Sequence, residues 1–377
     1  MVRGEAWAMR AAARATGEGA ADVVRLGPEA QLAGPSGSGL DGERWGLVLG
    51  GGGVLGAAWL VGALSAFERA YGVDARQAEL LVGTSAGSIV AAMLSAGVSV
   101  SEQRARQLAP SQGALPGGPG AALVSGPVAR RRLRPGSPTM LRNMVRTHRG
   151  HLRDVPRVAV LTGLAPAGTA PMRGVRELIE TAMPAGQWPS HRGVRVVALD
   201  YGTGDRVAFG AAGAPPAGLS EAVLASCAIP TFFAPVSIGD RRYVDGGAWS
   251  STNADLVLAE EPRLDRLFVF APMVSTTYDV PPDWKVRTER RIRIAITKRA
   301  LSEARAVHEA GTAVTVVGPG PAELALIGFN LMASRPRRDV LLSAEQTVSA
   351  ALTGSPADPV AAVVDAIDEA VEDEVAG

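Results

Sequence analysis

Three short stretches of the chain carry residue types and spacings suited to acyl transfer. The first is Gly83-Thr84-Ser85-Ala86-Gly87, a G-x-S-x-G pentapeptide preceded by the apolar Leu80-Leu81-Val82 and followed by the helix-forming run Ser88 to Leu94. Small residues on both sides of the serine let the chain turn sharply from strand to helix, and the hydroxyl then projects at a helix N-terminus, which favours developing negative charge. With 45 glycines in the chain the pentapeptide alone is a weak signal, and its strand and helix context carries the reading. The second stretch is Gly50 to Gly53, four consecutive glycines between an apolar run and a helical pattern. Backbone N–H groups without Cβ obstruction can converge on one point and form an oxyanion hole. Gly51, Gly53 and Gly56 also fit the dinucleotide-binding spacing, but the acidic residue wanted about 20 positions later is only approximated by Glu68 and Asp74. The third is Asp245-Gly246-Gly247, an ordinary turn by itself and a candidate general base in a chain that also has a serine elbow.

The elements that must position these residues alternate. Strand Gly46–Leu49, helix Gly56–Tyr71, strand Leu80–Val82 and helix Ser88–Ala96 follow in turn, the pattern of a parallel sheet with right-handed crossovers. Leu80 to Val100 is uncharged and long enough for a membrane span, yet "GTSAG" at its centre predicts a buried strand, a tight turn and a buried helix instead. "VRVVALDYGTGDRVAFG" (194–210) and "VSIGDRRYVDGGAWS" read as hairpins, with a short helix between them that stops before Pro230. Two further core strands, 266–272 and 312–320, flank an Arg/Lys-rich helix over 286–310.

Composition bounds the rest. At 47% apolar residues the chain can bury a sizeable core, and a net charge of +1 gives no reason to expect a nucleic-acid partner. Cys227 is the one cysteine, so no internal disulfide framework is expected, and the opening residues lack a secretory apolar core, which predicts a cytoplasmic protein. Residues 1–42 read as a flexible segment, 43–345 as the main domain, and 346–377 as an acidic C-terminal helix. Within the domain, about 103–153 is an insertion with ten arginines and no acid. Arg130, Arg131, Arg132, Arg134, Arg142, Arg146, Arg149 and Arg153 are interleaved with apolar residues there, an arrangement suited to peripheral contact with an anionic membrane. The four histidines His148, His151, His191 and His308 are scattered, and neither a metal nor a cofactor is called for.

Taken in order, "LVLGGGGVLGAAWLVGAL", "GTSAG" and "ASCAIPTFFAPVSIGDRRYVDGG" resemble the patatin-like phospholipases, serine acyl hydrolases with a Ser–Asp dyad, from about Trp45 to Asn253. The resemblance implies a three-layer α/β/α fold around a mainly parallel sheet and a lipid or ester substrate. It implies Ser85 as nucleophile, Asp245 as base, Gly51, Gly52 and Gly53 as the oxyanion loop, and Gly83, Gly87, Gly246 and Gly247 as supporting motif residues. The chain departs from the family at Leu55, where Arg or Lys is usual, a change that bears on substrate class more than on the chemistry. One alternative is an α/β-hydrolase with Ser85, Asp245 and His308 in chain order, against which His308 lies inside a helical stretch. A nucleotide-binding protein leaves "GTSAG" and "DGG" unexplained. A non-catalytic relative is suggested by Leu55, but Ser85 and Asp245 are both present.

Overall fold

The central strands read as unbroken apolar runs because they are covered on both faces. The computed structural model describes residues 21–26, 40–109, 136–147, 155–191, 193–275, 284–328, 330–333 and 336–353. In chain order these form β1 (Asp22–Leu26), β2 (Trp45–Leu49), α1 (Gly53–Tyr71), β3 (Leu80–Thr84), α2 (Ala86–Ser95), α3 (Val100–Leu108), α4 (Pro138–Thr147), α5 (Arg157–Leu164) and α6 (Arg173–Glu180). There follow β4 (Val194–Asp200), β5 (Arg206–Phe209), α7 (Leu219–Ser226), β6 (Val236–Ile238), β7 (Arg241–Asp245), β8 (Arg266–Phe270), α8 (Trp284–Glu309), β9 (Ala313–Gly318), α9 (Pro321–Ile327) and α10 (Arg337–Thr353).

One sheet runs in the order β1-β9-β8-β2-β3-β4-β7-β6, with β5 also paired to β4. The five strands from β9 to β4 are mutually parallel, while β1, β5, β7 and β6 pair antiparallel. Alternation along each strand divides the core in two. Leu47, Leu49, Phe268 and Phe270 join a cluster with residues of α1, α2, α7 and α10. Val48, Leu267 and Val269 join the opposite cluster with Ala300, Leu301, Ala304 and Val307 of α8. The result is a three-layer α/β/α architecture with a mostly parallel sheet. Among the described residues no helix is long and apolar enough to cross a membrane, and the uncharged run from Leu80 is the buried β3, a turn and the buried α2.

Several boundaries differ from the sequence reading. Residues 22–26, expected in a flexible segment, are an edge strand on β9, because buried Val23 and Val24 outweigh the Ala/Gly/Arg composition around them. Helix α1 begins at Gly53 rather than Gly56, and β3 extends to Thr84 while α2 begins at Ala86, leaving a turn of one residue. Helix α10 crosses position 345 without a break. Residues 354–377 lie outside the described residues, as do Arg130, Arg131, Arg132, Arg134, Arg149 and Arg153.

The buried Glu323 carboxylate ties the first face together, accepting from Trp59 Nε1 of α1 at 3.2 Å, from Thr347 Oγ1 of α10 and from the Gly320 amide at 2.7 Å. Helices α1 and α10 approach so closely at Gly62 that a Cβ there would lie 2.3 Å from Leu341 O. Gly62→Ala is therefore expected to lower stability by about 1–3 kcal/mol in urea unfolding, although the same replacement at an open helix position would stabilise by up to about 1 kcal/mol.

Candidate active site

Ser85 alone makes the turn from β3 to α2, at φ 53° and ψ −119°, a backbone conformation rare for a non-glycine residue. Such strain costs on the order of 1–3 kcal/mol and persists where surroundings over-determine it. Here they do. The Ser85 amide donates to Ser226 Oγ at 2.9 Å, and the Ser85 carbonyl accepts from Ser88 Oγ at 2.6 Å and Cys227 Sγ at 3.3 Å. Burial pushes the Cys227 thiol well above its ordinary pKa, so it stays protonated and acts as a donor rather than a nucleophile. Both motif glycines are sterically required: a Cβ at Gly83 would meet Ser88 Cα at 2.6 Å, and one at Gly87 would meet Leu49 O at 1.8 Å.

Asp245 reaches the same level from two strands away. Thr84 is opposite Val197 and Asp245 is opposite Ala198, so β4 carries Ser85 and Asp245 on its flanks at matching height. The Asp245 amide donates to Ala228 O at 3.0 Å, and its Oδ1 accepts from the Gly247 amide at 2.7 Å. Gly246 permits the turn, since a Cβ there would lie 2.5 Å from Val197 O. The Ser85 hydroxyl lies close enough to the carboxylate to favour its charged form. Burial pushes the Asp245 pKa up to about 6, partly opposed by the Gly247 amide and the Ser85 hydroxyl, which favour the charged form. Ser85 and Asp245 are 7% and 5% exposed, so the pair is held in a largely dry setting.

The glycine loop abuts the serine, and a Cβ at Gly51 would sit 3.3 Å from Ser85 Cβ. Its amides are not equivalent. Gly50 N–H donates to Phe270 O and Gly51 N–H to Ser251 O, each at 2.8 Å. The Gly51 donor is committed to the backbone, and Gly51 contributes close approach. Gly52 and Gly53 stand at the first turn of α1, where amides have no intrahelical acceptor. Leu55 is fully buried with its amide on Leu331 O at 3.1 Å, so the position where the family usually has a cation presents no charge to a ligand.

Several supporting residues were not singled out by sequence reasoning. Asn253 Nδ2 donates to Thr84 Oγ1 at 3.1 Å and to Ser250 O at 2.7 Å, joining the loop after Asp-Gly-Gly to the residue before the serine. Glu303 of α8, 4% exposed, accepts from Thr252 Oγ1 at 2.7 Å, the Ala254 amide at 3.0 Å and Arg299 Nε at 2.9 Å. Burial raises its pKa, and the charge of Asp255 adds to the effect. Arg206 bridges Asp255 at 2.6 Å and lies over the Trp249 ring. Nothing in "LSEARA" distinguishes Glu303 from a surface acid, so no local signal could have found it.

The two described histidines are elsewhere. His191 bonds Ala78 O at 2.9 Å and the Gly193 amide at 3.2 Å, and His308 bonds Thr312 O at 3.4 Å. These contacts lie where the parallel strands β3, β4 and β9 begin, whereas Ser85 lies where β3 ends. His148 and His151 are outside the described residues.

The Patatin-like phospholipase family model matches residues 47–258, a span that contains the glycine loop, Ser85 and Asp245. The chain belongs to the patatin-like phospholipase family. Membership makes it a hydrolase of lipid esters. Among solved structures it is similar to VipD from Legionella pneumophila, at 13% identity over 87% of this chain and 67% of that one, with a TM-score of 0.37. Family membership rests on the matched residues and not on that distant overlap. No curated protein sequence matches the chain.

A patatin-like site with a buried carboxylate bears on stability. A carboxyl whose pKa is raised on folding contributes stability that is fully present below its unfolded value, about pH 4, and is lost as pH rises through about 6, on the order of 3 kcal/mol. Asp245→Asn cannot ionise and keeps an acceptor for Gly247. It is expected to raise Tm at about pH 8 and leave it nearly unchanged at about pH 4. A Tm difference that is the same at both pH values would contradict this account.

Proposed function

We propose that the protein cleaves carboxylic esters of lipids, in the manner of a phospholipase A or esterase, through a Ser85–Asp245 dyad and an acyl-enzyme. The observation that carries this reading is that buried Ser85 and Asp245 flank β4 at matching height, with the Ser85 hydroxyl close enough to favour the charged carboxylate, in a turn whose backbone is held from several sides. Free aspartate is a weak base for an alcohol. Desolvation raises the basicity of Asp245, and above about pH 6 it is ionised and ready to accept a proton.

In the first half-reaction Asp245 takes the Ser85 proton as Oγ bonds to the ester carbonyl carbon. Charge builds on the carbonyl oxygen, which the Gly52 and Gly53 amides at the positive end of α1 are placed to receive. The tetrahedral intermediate collapses, the carbon–oxygen bond to the leaving alcohol breaks, and Asp245 returns the proton to that alcohol. In the second half a water gives its proton to Asp245 and attacks the acyl carbon, the bond to Ser85 Oγ breaks, and the proton goes back to Ser85 as the carboxylic acid leaves.

Two measurements test the dyad. Ser85→Ala and Asp245→Asn should each lower hydrolysis of a p-nitrophenyl ester by at least about 10³-fold, while His191→Ala and His308→Ala stay within about tenfold of the parent. For the parent, kcat/KM should rise with pH through one ionisation near about 6 and then level off. A folded His308→Ala protein as inactive as Ser85→Ala would replace the dyad with a triad, because a histidine would then be taking the proton.

A further inference from the structure

Large apolar side chains left in water are concentrated at one place among the described residues. Helix α5 has no charged residue from Val158 to Leu164; it turns Ala159 and Thr162 inward and leaves Val158, Leu161 and Leu164 56%, 59% and 62% exposed. Their spacing of three residues sets them along one face. Helix α4 lies alongside, with Leu141 against Gly163, and adds Val145 at 49% exposure. Phe232, 46% exposed, stands next to Gly168 in the segment that follows α5. Single apolar residues on a surface are ordinary, but a contiguous stripe beside a polar rim marks an interaction site.

The place of this stripe is informative. Beneath it, Met140, Met144 and Ala159 pack on Val244, Ala248 and Trp249, the residues on either side of Asp245-Gly246-Gly247. The two helices thus roof the turn that holds the base, and their exposed face is the outer surface of that roof. Its charge is one-sided: Arg142 and Arg146, one turn apart on α4, are exposed, and no carboxylate occurs in the described residues 136–147 and 155–164.

We propose that the outer face of α4 and α5, with Phe232 at its margin, is a docking surface for an anionic lipid bilayer. An apolar stripe of this width matches the acyl boundary of a membrane, and arginines at its edge match the phosphates above that boundary. A protein partner would have to bury the arginines as well, whereas a bilayer leaves them at the headgroup level with their stems on the apolar side. The inference rests on the lipid-hydrolase reading only in that docking brings substrate to the dyad, and binding can be read without catalysis.

The test uses the full chain carrying Ser85→Ala, sedimented with vesicles of phosphatidylcholine with or without phosphatidylglycerol. Tighter binding to the anionic vesicles is expected, weakened by salt. Leu161→Ser with Leu164→Ser should lower vesicle affinity by at least about tenfold, and Arg142→Gln with Arg146→Gln should abolish the preference for anionic lipid. In the chain that retains Ser85, the same double variants should hydrolyse a short soluble p-nitrophenyl ester at the parental rate and lose activity only on vesicle phospholipid. Vesicle binding that neither pair alters would overturn the docking surface. So would sedimentation velocity showing a dimer that Leu161→Ser with Leu164→Ser splits into monomers while vesicle binding is unchanged, because the face would then join two copies of the chain. Absence of soluble-ester hydrolysis by the parent would instead sink the hydrolase reading, leaving the binding result to stand by itself.

Discussion

Much of this protein is arranged around one carboxylate taken out of water. Moving the charged form of an aspartate into a dry interior is unfavourable, and such a group either finds donors or shifts its pKa. Asp245 does both: it accepts the Gly247 amide and faces the Ser85 hydroxyl, and its pKa still rises to about 6. That compromise is what gives an aspartate useful basicity near neutral pH. Full satisfaction by several amides would leave it a poor base, while no donor at all would leave it protonated.

The position of that carboxylate depends on the sheet. β4 is flanked by β3, which ends at the serine, and by β7, which runs the other way and ends at the aspartate. Parallel strands alone would bring both residues in from the same direction through crossovers. The antiparallel β7 instead delivers Asp245 on a hairpin, followed at once by the two glycines. The amide of Gly51 fixes the loop on Ser251, while the Leu55 amide in the first turn of α1 is taken by Leu331 O.

A second layer of polar contacts holds the Ser85 and Asp245 turns from behind. Glu303 comes from α8, beyond the residues matched by the family, and gathers Thr252 and the Ala254 amide. Asn253, in the left-handed region at φ 53°, carries that order on to Thr84. A buried network of this kind rigidifies only when its members are paired, and the ion pairs of Arg206 with Asp255 and of Arg299 with Glu303 complete it. On the other side of the same turn, α4 and α5 supply apolar packing through Ala248 and Trp249. The Asp245 turn is therefore held by polar contacts on one side and by a water-facing pair of helices on the other.

Much of this was legible in the sequence because it is local. The apolar runs at Trp45–Leu49, Leu80–Thr84 and Arg266–Phe270 announce buried parallel strands, "GTSAG" announces a turn only small residues can make, and "YVDGG" announces a hairpin end. Ser85 and Asp245 could be named as candidates from those patterns, together with the resemblance they carry. What the tertiary structure decided are matters of distance in space between residues far apart in the chain. The Ser85 amide finds Ser226 across 141 positions and Thr84 finds Asn253 across 169. Only the fold shows that Gly51 turns its amide to Ser251, that Glu303 is buried behind the loop that follows Asp245, and that His308 lies at the opposite end of the parallel strands from Ser85. It also recruits residues 22–26 as an edge strand, since an edge needs only a partner with free backbone groups and two buried valines, a demand too small to show in composition. Backbone preference and hydrophobic period act over a few residues, whereas burial, pKa and hydrogen-bond partnership are properties of the assembled neighbourhood.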